Sequence, residues 1–139
     1  MEIKTVTSED DISKTWEVMQ LLRPHLKQGE YVDLISEMLS SGYNMAFVEE
    51  NDKAVSVIGF RHVLFLFYGR HIYIDDLSTL NDYRGKGYAG RLLDHVCTLA
   101  KEKGYQHVTL DSGCSRYTAH RLYMNKGFII GAHHFSKEI

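Results

Sequence analysis

Between Asn81 and Leu93 the chain reads Asn-Asp-Tyr-Arg-Gly-Lys-Gly-Tyr-Ala-Gly-Arg-Leu-Leu. Three glycines, Gly85, Gly87 and Gly90, fall within six residues, with Arg84 and Lys86 set among them. An apolar, β-like run ends just before this stretch and a helical pattern begins inside it. Glycine lets the backbone approach a ligand, the first-turn N–H groups of a helix point outward, and the helix dipole favours negative charge. The chemistry this implies is a grip on the phosphates of a cofactor.

Several phosphate loops compete for the reading. Gly85 to Gly90 spells G-x-G-x-x-G, and Asp111 stands about twenty residues beyond it, an imitation of the dinucleotide fingerprint. That fingerprint places its first glycine at the end of the strand, whereas Asn81 to Arg84 intervene here. It also belongs early in a sheet with further βα units, and only about fifty residues remain. A kinase loop lacks its Ala-x-Lys, His-Arg-Asp and Asp-Phe-Gly companions. A Walker loop fails because Tyr88, not Ser or Thr, follows Gly87.

The rest of the composition narrows the class. The 139 residues fit one domain, 1–139, with one sizeable core, and 44% hydrophobic content argues against disorder. The net charge of −2 argues against a general nucleic-acid binder. No apolar run approaches the roughly 18 residues of a spanning helix, and Met1 to Asp11 is too polar for a signal peptide, so a cytoplasmic protein with no membrane partner is expected. Cys97 and Cys114 form no CxxC pair and are expected as thiols. Eight histidines include adjacent His133 and His134, but neighbours on a strand face opposite ways and no ligand spacing appears, so no metal is expected.

The elements that position the loop follow from periodicity. Glu2 to Thr7 reads as a strand. Ser8-Glu9-Asp10-Asp11 opens a helix carrying Ile12, Trp16, Met19 and Leu22, which Pro24 ends. A second helix spans Gly29 to Ser41, and Tyr31 near its start is a candidate to overhang a substrate pocket. Tyr43 to Glu49 is a strand, and Asn51-Asp52-Lys53 a turn. Ala54 to Phe67 is a long strand whose second half is apolar on both faces, as for a strand covered on both sides. A turn at Tyr68-Gly69 leads to a partner strand, Arg70 to Leu80, whose neighbours Asp75 and Asp76 should face opposite ways. After the glycine loop come a helix to Lys103, a strand from Gln106 to Asp111, a loop, a helix from Arg116 to Lys126 and a last strand from Phe128 to about Lys137. The order β-α-α-β-β-β-α-β-α-β predicts a mixed α/β sheet flanked by about four helices.

Arg84-Gly85-Lys86-Gly87-Tyr88-Ala89 resembles the [Q/R]-x-x-G-x-[G/A] signature of the GNAT superfamily of acetyl-CoA-dependent N-acetyltransferases. Eight residues before the arginine, Asp76-Leu77-Ser78-Thr79 looks like the acid-Leu-x-Val end of that family's fourth strand. Ala119 to Phe128 is similar to its A-x-x-[LF]-Y-x-x-x-G-[FY] segment. The three occur in the family's order and the resemblance covers essentially the whole chain. Asn81 stands where the family often has proline, and Arg116 where it often has a cofactor-contacting asparagine. The segment from Arg116 to Tyr123 and the histidine-rich end look most like the aminoalkylphosphonate-type small-amine acetyltransferases.

The resemblance implies a splayed sheet and acetyl-CoA as co-substrate. The loop residues Arg84, Gly85, Lys86, Gly87, Tyr88, Ala89 and Gly90 would hold the pyrophosphate. Leu77, Ser78 and Thr79 would carry the pantetheine arm as if it were an added strand. Direct attack of a primary amine through a tetrahedral intermediate needs that amine deprotonated, which costs roughly 4–5 kcal/mol at neutral pH from its pKa near 10.4. Asp76 holds the matching position for the base, with Asp111 second, and Tyr123 matches the acid that protonates the leaving thiolate. Ser112, His120 and His133 are further candidates on the acceptor side. The expected partners are acetyl-CoA, a small amine and, by resemblance, a second copy of the chain. Alternatives are a protein N-terminal or lysine acetyltransferase, and a non-catalytic acyl-CoA-binding or regulatory module.

Overall fold

The structure is a computed structural model describing residues 1–139. The strands are β1 (Ile3–Thr5), β2 (Tyr43–Glu50), β3 (Lys53–Phe65), β4 (Gly69–Thr79) and β5 (Val108–Leu110). The helices are α1 (Glu9–Lys14), α2 (Trp16–Leu22), α3 (Gln28–Ser40), α4 (Tyr88–Glu102) and α5 (Tyr117–Asn125), with a 3-10 turn at Asn81–Tyr83. The sheet runs β1-β2-β3-β4-β5. The first four strands pair antiparallel, and α4 carries the chain across to β5. No helix is long and apolar enough to cross a membrane.

Contacts divide the chain into two compact units, Met1–Thr109 and Leu110–Ile139. The core of the first lies where β2 and β3 meet the helices. Phe47, Val57, Ile58 and Ile72 have no exposed surface, nor do Leu92, Leu93 and Val96 of α4. The stripe predicted for α4 is the stripe that is buried, which is how an amphipathic helix gains most of its stability.

Where one long helix is expected near the N-terminus, the structure has two. Ser8 caps α1 by accepting from the Asp11 N–H at 3.1 Å, as the sequence suggests. Thr15 then interrupts the pattern. Its hydroxyl donates back to the Ile12 carbonyl at 2.7 Å and its N–H bonds the same oxygen, so the turn closes and α2 starts afresh. The helix count is therefore five rather than four. Arg23, just before Pro24, leaves the helical region at ψ 75°, as a residue preceding proline tends to.

The β3–β4 hairpin also differs from expectation. β3 is buried only as far as Phe60, and from His62 onward its side chains are exposed or half-exposed. The turn is a three-residue loop, Leu66-Phe67-Tyr68, closed by Gly69 at φ +67°, a left-handed position that glycine fills without strain. β2 begins with Tyr43 opposite Arg61, so no strand lies against β3 beyond Arg61 on that side.

In the second unit α5 closes with Phe128 N–H donating to the Tyr123 carbonyl at 3.0 Å and the two rings meeting edge-on, centroids 6.0 Å apart. The last strand expected from Phe128 to Lys137 does not form. A strand exists only on a partner's hydrogen-bond ladder, and this segment has none. Ile129, Ile130 and Phe135 stay exposed.

Candidate active site

The glycine loop begins where β4 stops. Gly85 and Gly87 sit at φ +77° and +83°, and a Cβ added at either would enter open space. The glycines thus serve backbone shape, not clearance. Gly87 is the N-cap of α4, and no side chain caps the helix. No backbone carbonyl takes the N–H groups of Gly85, Lys86 or Gly87, and those of Tyr88, Ala89 and Gly90 belong to the unpaired first turn. The first turn also holds no acid, which would otherwise compensate the dipole. A row of outward amides at a positive helix end is a fit seat for a pyrophosphate.

The seat is fastened from below. Tyr88 donates to Glu50 Oε2 at 2.6 Å, and Asn51 Nδ2 donates to the Tyr83 hydroxyl at 3.0 Å. The anchors are the last residue of β2 and the first of the turn after it. Arg84 is exposed, and its Nε reaches the Thr79 carbonyl only at 3.4 Å, leaving most of its guanidinium open. The Lys86 ammonium lies 5.0 Å from the Tyr83 ring centroid.

Upstream, β4 carries a bulge. Gly59 of β3 faces Asp76 while the next residue, Phe60, faces Ile74, so Asp75 is the extra residue. The bulge overrides the alternation expected for neighbours, and Asp75 and Asp76 reach the same side of the sheet. Asp76 Oδ1 accepts from Arg23 Nε at 3.0 Å and from Arg23 Nη2 at 2.9 Å, and Oδ2 accepts from the Tyr43 hydroxyl at 2.6 Å. Arg23 Nη2 also donates to the Asp75 carbonyl at 3.0 Å, clamping the bulge itself. Asp75 Oδ2 accepts from Arg61 Nε at 2.8 Å, and Arg61 lies 5.2 Å over the Tyr43 ring.

The two carboxylates differ in what they have left. Asp76 is held by three donor groups. Asp75 Oδ1 is buried with no partner. Burial pushes the Asp75 carboxyl above its ordinary value; the Arg61 hydrogen bond and charge oppose this, and the Asp76 charge adds to it. Burial, with Asp76 beside it, also drives the Tyr43 hydroxyl far up, so it remains a donor. Leu77 and Ser78 are buried and Thr79 is half-buried, its Oγ1 sharing a 2.7 Å bond with Ser56.

The remaining sequence candidates fall in both units. Tyr31 is in the core, 2% exposed, its hydroxyl 2.7 Å from Thr15 Oγ1 and its ring edge-on to Trp16, and burial pushes it up to about 12. In the second unit Tyr123 is 8% exposed; burial pushes its hydroxyl up, and the Arg116 charge and hydrogen bond partly offset this. Ser112 Oγ is buried without a partner, Asp111 lies 3.6 Å from His134 Nδ1, His120 is half-buried and His133 exposed. No cluster of three or more His, Cys, Asp or Glu is assembled.

Sequence reasoning missed Arg23, Arg61 and Tyr43. One signal was available. Gly59 inside a strand marks a close approach by other atoms, and a Cβ there would lie 1.8 Å from the Tyr43 hydroxyl oxygen.

Residues 12–128 match the model of the Acetyltransferase (GNAT) family. The chain belongs to the GNAT family. It is an acyltransferase of that family, and acetyl transfer to an amine is the family's reaction. An uncharacterized N-acetyltransferase of Bacillus subtilis (strain 168), YhdJ, is 30% identical over 141 residues, covering 100% of this chain and 99% of the relative. The fold is shared with a transcriptional regulator from Bacillus halodurans C-125 (TM-score 0.85, 19% identity, 99% of this chain and 100% of that one). It is shared too with the aminoglycoside N-acetyltransferase AAC(6')-Iy in complex with CoA (TM-score 0.84, 12% identity, 99% and 93%). As a GNAT fold, the mixed α/β architecture expected from the sequence stands.

Proposed function

We propose that this GNAT protein transfers the acetyl group of acetyl-CoA to the primary amine of a small molecule by direct attack. The observation that carries the reading is the glycine loop, whose outward amides open α4 beyond the end of β4. The pyrophosphate would sit on the amides of Gly85 to Gly90, with Arg84 and Lys86 adding charge. Leu77 to Thr79 would meet the pantetheine arm along β4, and their amides would stabilise the oxyanion.

In this reading Asp75 takes the proton of the attacking amine, directly or through a water. Three things support it over Asp76: an oxygen with no donor, a basicity raised by burial, and a place in the bulge. Asp76, engaged by Arg23 and Tyr43, holds the bulge in shape. Tyr123 carries its proton at neutral pH, as a phenol of ordinary value 10.0 does, and burial raises it further, which suits a donor to the departing thiolate. In balance, the amine nitrogen bonds the acetyl carbon, the carbon–sulfur bond breaks, one proton leaves the amine and one reaches the sulfur.

Thiol release from acetyl-CoA across a panel of amines tests this. Release that depends on a small primary amine is expected. Tight CoA binding without amine-dependent release from any amine class would sink the enzyme reading in favour of a cofactor-sensing module. Release only with peptides would move the acceptor to a protein N-terminus or lysine.

A further inference from the structure

Between Lys53 and Arg70 the chain has no Asp, Glu, Lys or Arg except Arg61. That arginine sits within β3 where the strand is paired on both sides, opposite Tyr43 of β2 and Tyr73 of β4. A charge so placed is costly unless it is matched. Its match is Asp75, which lies two residues beyond Tyr73 and so shares the sheet face of Arg61. Arg61 Nε donates to Asp75 Oδ2 at 2.8 Å, with the two side chains 32% and 21% exposed. The guanidinium is held from a second direction, 5.2 Å over the Tyr43 ring. That ring is itself pinned, because its hydroxyl donates to Asp76 at 2.6 Å.

A carboxylate turns about a broad, two-fold torsion, so its oxygens are interchangeable until a donor chooses between them. Arg61 makes the choice. Oδ2 is taken, and Oδ1 is left buried without a partner. We propose that Arg61 is a positioning residue of the acetyl transfer, which by taking Oδ2 of Asp75 aims Oδ1 at the acceptor amine. The proposal rests on Asp75 being the base.

The groups that face this carboxylate are Arg61 from β3, Asp76 beside it on β4, Arg23 from α2 and Tyr43 from β2. Burial above all, and then the Asp76 charge, favour the protonated carboxyl. Arg61 opposes them by hydrogen bond and by charge, and Arg23 by charge. The hydrogen bonds of Arg23 go instead to the Asp76 carboxylate and the Asp75 carbonyl. Arg61 is thus the group that both orients the base and keeps it ionised, and only the ionised form can accept a proton.

The test is kcat and kcat/KM against pH for the full chain, with acetyl-CoA and the primary amine that releases most thiol in the panel above. Arg61→Gln removes the charge, so the acidic limb should move to higher pH. At a fixed pH on the parent's limb, the rate relative to the plateau should fall about tenfold, as for the loss of one adjacent opposite charge. Arg61→Lys keeps the charge but offers a compact ammonium in place of a planar fork. Its limb should stay at the parent's pH, while its plateau kcat falls about tenfold because the free oxygen is no longer aimed. KM for acetyl-CoA should be unchanged in both, which a disordered sheet would not allow. A limb that stays in place in Arg61→Gln, or a parental plateau in Arg61→Lys, overturns the inference. Where the glutamine variant does not fold, the plateau of the lysine variant decides. Full kcat in Asp75→Asn, or no amine-dependent release at all, overturns the base and this inference together. An inactive Asp75→Asn beside an unmoved limb in Arg61→Gln overturns this inference alone.

Discussion

The Tyr43 hydroxyl donates to Asp76 Oδ2 across 2.6 Å, and it reaches that oxygen by passing over Gly59. A Cβ at position 59 would meet the hydroxyl oxygen at 1.8 Å and the ring carbon beneath it at 2.4 Å. Gly59→Ala is therefore expected to destabilise the fold by about 2–4 kcal/mol, from overpacking plus loss of a hydrogen bond to a charged group. Urea unfolding measures it. Combined with Tyr43→Ala, the glycine change should cost much less than alone, because the two side chains compete for one space.

Asp75→Asn and Asp76→Asn should separate chemistry from architecture. The first is expected to lower kcat on the order of 10²–10³-fold, the range of a lost general base, with little change in stability. The second leaves Arg23 and Tyr43 facing an amide, and should lower the melting temperature more than the first. Equal effects on both measurements for both variants would remove the distinction.

Asp75 also predicts a pH dependence. Burial, chiefly, raises its folded-state value above the ordinary 3.8. The folded state therefore binds that proton more tightly than the unfolded chain. The resulting stabilisation is full below 3.8 and is lost as pH rises through the folded value. Urea midpoints measured across that window should fall with pH less steeply in Asp75→Asn. The acidic limb of kcat/KM should lie above 3.8 in the parent and vanish in the variant.

Tyr123→Phe is expected to cost on the order of 10²-fold in kcat, the low end for acid–base catalysis, since a thiolate with a pKa near 8.5 departs tolerably unaided. The parent should lose activity only above the ordinary tyrosine value of 10.0, because burial raises the group. A variant with full kcat at every pH would leave Tyr123 as packing against Phe128.

Gly87→Ala would place a side chain at φ +83° in open space. The cost is conformational, about 1–2 kcal/mol, and it falls where the α4 amides are aimed. KM for acetyl-CoA should rise several-fold with a smaller change in kcat, read from initial rates.

Much of this molecule is legible in its sequence because its signals are local. Ser8 caps, Gly87 opens α4, and the Leu92, Leu93 and Val96 stripe buries itself. What is illegible depends on partners far along the chain. The bulge that turns Asp75 toward Asp76 is a mismatch between two strands, and neither strand shows it alone. Arg23 lies 53 residues from the carboxylate it grips. Thr15 looks like an ordinary helix residue until its hydroxyl is seen bonding the Ile12 carbonyl and Tyr31. The run from Val63 to Phe67 reads as covered on both faces, and within one chain it is not.

Tyr88 and Tyr83 tie the two flanks of the glycine loop to the neighbours Glu50, at the end of β2, and Asn51, in the turn after it. The entropy of arranging those amides is thus given up when the chain folds, before any anion arrives. Loosening the tethers with Tyr83→Phe/Tyr88→Phe would leave every amide in place yet make binding carry an ordering penalty. Calorimetry would then show CoA association with a less favourable entropy and a slower on-rate, the mark of a receptor that must assemble around its ligand.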